Sequence, residues 1–232
     1  MRRFYFFKKN WAVLSCFFVL IFIIYGQSLS GNFVFDDRNI TENIGTLSHP
    51  QDLGEVILHP YWSKESGLYR PVTLISYTLI FAIFGNNKDS FHFINLALHV
   101  FVCSLIYLLE KKLFKKDSLA FITALLFLLL PIHTEVVANI SGRGELLALL
   151  FSLLAFIECA KGKTNFWLAG IWAFLAIGSK ETASAVLPLA FMVLYIKDSS
   201  QISETGKKIA QERTYYMHEF IKRLDKEIGG KL

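Results

Sequence analysis

The feature that most restricts this chain is the bunching of its apolar residues. Residues 11–29, 91–109, 119–132, 146–160, 166–178 and 183–196 carry almost no charge, and knots of Lys and Arg separate them. Runs like these need hydrocarbon around them, and a helix crosses a bilayer with ~20 apolar residues. The expected fold is therefore an all-α polytopic membrane bundle of about six spans. Hydrophobic residues make up 53% of the chain, including 22 Phe, which a soluble domain seldom reaches. The formal charge of +5 does not point to nucleic acid, because most Lys and Arg flank the apolar runs instead of forming a phosphate-tracking stripe. Cys16, Cys103 and Cys159 each fall inside an apolar run and read as buried thiols.

Charge sets the expected topology. Arg2, Arg3, Lys8 and Lys9 place residues 1–10 in the cytoplasm, and the helix over 11–29 carries residue 30 to the outer face. No small-residue cleavage site follows that helix, so it reads as a retained signal anchor. The run 91–109 is followed by Lys111, Lys112, Lys115 and Lys116, a cytoplasmic marker, so residues 30–90 all lie outside. Pro71 to Phe84 is apolar but short, and reads as a juxtamembrane helix on the outer surface. Five further spans fill 91–196, with Lys161 and Lys163 marking another cytoplasmic turn. Residues 197–232 form a cytoplasmic amphipathic tail.

This topology gathers four polar groups on the outer side. They are Asp36-Asp37-Arg38; Tyr69-Arg70-Pro71; His133, Thr134 and Glu135 with Arg143 and Glu145; and Lys180-Glu181. Chemistry on an anionic lipid-linked substrate needs a carboxylate as base and cations to neutralise phosphate. Arginine grips phosphate because its planar fork binds oxygens in pairs. The plain alternative is a solvated loop with capping Asp residues, closed by Arg143–Glu145 and Lys180–Glu181 salt bridges. His92, Asn95 and His99 share one helix face, either as an interhelical hydrogen-bond seam or as a metal site, with the seam preferred. Asn39-Ile40-Thr41 and Asn139-Ile140-Ser141 fit the glycosylation acceptor pattern on the outer side.

Phe35-Asp36-Asp37, Tyr69-Arg70-Pro71-Val72, Phe84-Gly85, Phe91-His92-Phe93-Ile94-Asn95, Pro131-Ile132-His133-Thr134-Glu135, Gly142-Arg143-Gly144-Glu145 and Ser179-Lys180-Glu181 occur in this order. Together they resemble the membrane half of the transmembrane-and-TPR O-mannosyltransferases, GT-C glycosyltransferases related to the dolichyl-phosphate-mannose protein mannosyltransferases. The resemblance covers residues 11 to 196. It implies an inverting enzyme of the bacterial plasma membrane or endoplasmic reticulum. Such an enzyme transfers a sugar, mannose foremost, from a polyprenyl- or dolichyl-phosphate donor to a protein or glycan hydroxyl on the extracytoplasmic or lumenal face. Carried onto this chain, Asp36 or Asp37 is the catalytic carboxylate, and Arg70, Arg143 and Lys180 contact the donor phosphate. His133, Glu135, Glu145 and Glu181 line the site. The resemblance fixes no cofactor, and a divalent cation is left open. Lipid-linked donor, acceptor and membrane lipid are the expected partners, with no nucleic acid. The family carries more spans after the Lys-Glu turn, so a truncated chain is expected. The alternative function is a non-catalytic membrane scaffold or degenerate fragment.

Overall fold

A computed structural model describes residues 2–34, 36–37, 40, 53–58, 60–61 and 68–229. Arg38, Asn39 and Thr41 lie outside the described residues. Helix α1 runs Arg2–Tyr25 and ends in a 3-10 turn, Gly26–Ser30; α2 is Leu53–Leu58 and α3 is Pro71–Phe84. Then come α4 (Lys88–Phe114), α5 (Asp117–Leu129), the short α6 (His133–Ala138), α7 (Arg143–Cys159) and α8 (Phe166–Ser179). A 3-10 turn, Glu181–Ala185, leads into α9, Val186–Gly229. No strand occurs among the described residues, and the all-α membrane bundle stands.

Local chemistry sets the helix ends. Pro71 opens α3, where its missing N–H costs nothing, and Gly85 closes it at φ 65°, a conformation that favours glycine. The Asn87 side chain accepts from the Asp89 N–H and starts α4; Asn165 accepts from Leu168 and starts α8. Pro131 stops α5 early, at Leu129. That stop bears on the number of spans. Among the described residues, four helical stretches are long and apolar enough to cross a membrane: Asn10–Ser30, Lys88–Phe114, Ile140–Cys159 and Glu181–Glu219. The other two expected spans, α5 and α8, hold 13 and 14 residues. At ~1.5 Å per residue they are about 20 Å long, short of a ~30 Å hydrocarbon core.

The chain divides into two units, Met1–Ala190 and Phe191–Leu232. In the first, Phe17, Ile21, Leu96, Tyr107 and Leu128 form a core closed by the small faces of Ala120 and Ala124, all buried. Phe17 stacks on Phe121 with centroids 5.8 Å apart and meets Tyr107 edge-on at 6.3 Å. Small residues let α5 approach closely, as in membrane helix packing generally. The Tyr25 hydroxyl donates to the Leu128 carbonyl at 3.0 Å and ties the end of α1 to the end of α5. At the opposite end of α4, Lys111 donates to Asn10 at 3.1 Å and pairs with Asp117 at 3.0 Å. In the second unit Ile202, Ile209, Tyr215 and Met217 are exposed.

Ala124 is fully buried in this core. Ala124→Leu is expected to destabilise the detergent-solubilised protein by about 1–3 kcal/mol. Leu126→Ala, at a position 60% exposed, is expected to change stability far less. Thermal unfolding followed by tryptophan fluorescence checks both.

Candidate functional site

Asp36 and Asp37 occupy one helical turn, and adjacent residues on a turn point in different directions. Asp36 is exposed and Asp37 fully buried. The Asp37 carboxylate accepts the Ser141 N–H at 2.8 Å and the Val34 N–H at 3.3 Å. One carboxylate is thus committed to backbone, and its neighbour faces solvent.

Ser141 belongs to a turn, residues 139–142, that connects α6 to α7 and is held by side chains from several elements. Asn95 of α4 donates to the Asn139 carbonyl at 2.9 Å, and the Tyr77 hydroxyl of α3 donates to the Ile140 carbonyl at 2.7 Å. Gly142 sits so close to α6 that a Cβ there would lie 2.2 Å from the Val136 carbonyl oxygen, so no side chain fits. Arg143 follows and is wholly buried. Its Nε donates to Asn95 Oδ1 and its Nη2 to the Phe91 carbonyl, each at 2.8 Å. Its guanidinium lies 4.6 Å from the Tyr77 ring centre and 5.4 Å from that of Phe91. This side chain locks α7 to α3 and α4 and does not reach solvent. Asn95 is therefore a hydrogen-bonding seam residue. His99 packs edge-on to Tyr25 at 5.4 Å, with His133 at 5.6 Å.

The cations are paired across elements. Arg70, just before α3, forks onto Glu181, with Nη2 2.6 Å and Nε 2.9 Å from its oxygens. Behind the fork, the Tyr61 ring centre is 4.9 Å away. Lys180 pairs with Glu145 in the first turn of α7. Neither sequence-adjacent pair, Arg143–Glu145 nor Lys180–Glu181, supplies these bridges; the partners cross over. Glu181 raises the pKa of Arg70 above its ordinary value by hydrogen bonding, against the opposing effect of burial. The Thr73 hydroxyl donates to the Ser179 carbonyl at 2.8 Å and fixes the start of α3 against the end of α8, so Arg70 and Lys180 stand on one wall.

A cleft of about 610 Å³ opens over these groups, lined by Asp36, Tyr61, Arg70, Glu135, Asn139, Ser141, Glu145 and Lys180, among others. Of the residues singled out in the sequence, Asp36, Arg70, Glu135, Glu145 and Lys180 meet here, with Glu181 bound to Arg70. Asp37 and Arg143 lie behind the wall. His133 packs on Phe127, ring centres 4.1 Å apart, and burial lowers its pKa below the usual 6.5, which keeps the ring neutral at pH 7. The sequence reading missed Tyr61 and Tyr77 as ring supports for the two arginines. It also took Asn139 only as part of an acceptor motif, whereas with Ser141 it forms cleft floor. Among the described residues, no three His, Cys, Asp or Glu side chains form a group able to hold a metal ion.

Over residues 69–210 the chain matches the family described as dolichyl-phosphate-mannose-protein mannosyltransferase. It is 39% identical over 144 residues to Protein O-mannosyl-transferase TMTC1 of Mus musculus, covering 59% of this chain and 15% of that protein. It is 30% identical over 190 residues to Protein O-mannosyl-transferase F38B6.6 of Caenorhabditis elegans, covering 78% of this chain and 28% of that protein. To Protein O-mannosyl-transferase TMTC3 of Homo sapiens it is 32% identical over 145 residues, 60% of this chain and 16% of that protein. The chain therefore spans well under a third of the length of these relatives. No solved structure matches it.

Asn95→Leu would leave Arg143 Nε and the Asn139 carbonyl without their partner. The expected loss is about 1–3 kcal/mol for each unsatisfied buried group, and more for the charged one. Thermal unfolding of the solubilised variant checks this, with Ser104→Ala on the same helix as reference.

Proposed function

The chain belongs to the dolichyl-phosphate-mannose-protein mannosyltransferase family, and from that membership we propose that it transfers mannose from a polyprenyl- or dolichyl-phosphate donor to a protein or glycan hydroxyl. The observation that carries this reading is the cleft in which an exposed carboxylate, Asp36, stands with two cations, Arg70 and Lys180. A base and a phosphate grip are the two things that such a transfer requires.

In the proposed step, Asp36 takes the proton of the acceptor hydroxyl as its oxygen attacks the anomeric carbon. The bond from that carbon to the phosphate oxygen breaks on the opposite face, and the electron pair leaves with the phosphate. A diester carrying one negative charge becomes a monoester of about −1.5 to −2 at pH 7, while Asp36 becomes neutral. Arg70 and Lys180 oppose that developing charge, and Arg70 can offer two parallel N–H groups. Glu135 lines the acceptor space. Asp37 and Arg143 act as positioning residues, one through Ser141 and the other through Asn95. Short distances and a fixed floor count here, because a misplaced base loses rate steeply.

The proposed face is extracytoplasmic or lumenal. The cleft is built from the ends of α3, α7 and α8, while Lys115, Lys116, Lys161 and Lys163 fall in the loops at the other ends. The competing reading, a non-catalytic scaffold, draws support from the ion pairs, since both cations already have carboxylate partners.

The test is release of labelled mannose from polyprenyl-phosphate mannose by the reconstituted protein. Asp36→Asn is expected to lower the rate by about 10²- to 10⁴-fold, the size of a general base. Asp37→Asn is expected to lose much less, because an amide oxygen still accepts the Ser141 N–H. Turnover by Asp36→Asn at the parent rate would sink the assignment. Correctly inserted parent protein that releases no sugar would favour the scaffold.

A further inference from the structure

Glu181 and Glu145 are the residues that the proposed reaction leaves without a task of their own, although each holds one of its cations. We propose that these two carboxylates stand in for the lipid phosphate: they yield Arg70 and Lys180 to the donor and reclaim them afterwards, driving release of the lipid-monophosphate product. This rests on the mannosyl-transfer reading above.

Each pair is asymmetric in a consistent direction. The Arg70 side chain is 11% exposed and Glu181 53%; Lys180 is 19% exposed and Glu145 37%. The cation is the seated member and the carboxylate the one with open space beside it. Arg70 is supported from behind by Tyr61, and its place before α3 is fixed by the Thr73–Ser179 bond, so the fork keeps its aim when Glu181 moves away. A carboxylate held by both arms of the fork presents two oxygens, as a phosphate does, so exchange needs no rearrangement of Arg70.

The balance of charge gives the exchange a direction. Among the described residues, Glu135, Glu145 and Glu181 set three carboxylates around Arg70 and Lys180, and Asp36 is a fourth once it has given up the proton it took. A singly charged diester faces modest repulsion on entry. The monoester that replaces it carries roughly twice the charge, so it is both held more strongly by the cations and repelled more strongly by the carboxylates. Bare cations would retain the product. Cations with a carboxylate waiting beside each exchange it for their resident partner. The same groups thus admit the donor and discriminate against its spent form.

Glu181→Gln and Glu145→Gln keep the side-chain size and remove the charge, and they affect different pairs, so one misfolding variant leaves the other to be read. The probe is a short-chain isoprenyl monophosphate, bound to the reconstituted protein. Each variant is expected to bind it roughly threefold to tenfold more tightly than the parent, the scale of one partly exposed ion pair. In steady-state turnover both KM for the donor and kcat are expected to fall, while a single-turnover burst keeps the parent rate. Unchanged or weaker monophosphate binding by the folded variants would overturn the proposal, as would a kcat that stays at the parent value. If neither parent nor variants bind monophosphate, and Arg70→Gln changes nothing, the phosphate site itself is wrong and this proposal goes with it.

Discussion

The turn at residues 139–142 has to satisfy its backbone polar groups between packed helices, and it cannot do so alone. A turn that is not part of a helix ladder leaves N–H and C=O groups open, and buried groups of that kind must find partners. Here the partners come from far along the chain: Asp37 for Ser141, Tyr77 for Ile140 and Asn95 for Asn139. Because those residues sit on the first loop, α3 and α4, satisfying one turn also fixes the relative positions of three elements. The cleft is a by-product of that solution. Its floor is the turn, its wall is the start of α3 against the end of α8, and Asp36 reaches it because Asp37 is tied down next door.

Arg143 is held by the same logic. A guanidinium buried without a carboxylate partner among the described residues needs other support, and rings and carbonyls supply it. Such a side chain gives specificity of packing more than stability, since alternative dockings of α7 would strand its charge. Its dependence on Asn95 makes that residue part of both the floor and the anchor.

Much of the fold was legible because its controlling signals are local. Apolar runs marked the helices and Pro71 the start of α3, but the run 119–132 was carried past Leu129, where Pro131 stops α5. The site was legible as a list of residues but not as a set of pairs. Residues one or two apart on a helix do not face each other, so Arg143 was never placed to meet Glu145, nor Lys180 to meet Glu181. The actual bridges join Arg70 to Glu181 and Lys180 to Glu145, over separations of 111 and 35 residues, which no local pattern encodes. The same limit hid the difference between Asp36 and Asp37. Nothing in two adjacent aspartates says which will turn inward until the turn near Ser141 is in place.

The short helices α5 and α8 have a consequence for the surrounding lipid. Ile122 and Leu126 on one, and Ile171 and Phe174 on the other, are exposed apolar surface of the kind that acyl chains cover. Beside the 27-residue α4, these helices offer a wall of about 20 Å. A bilayer of ordinary thickness meeting that wall must be pinched, at a fraction of a kcal/mol per Å of hydrophobic mismatch. Headgroups there are drawn inward toward the level of the helix ends. Helices of that length match a thin bilayer more closely than a thick, sterol-rich one.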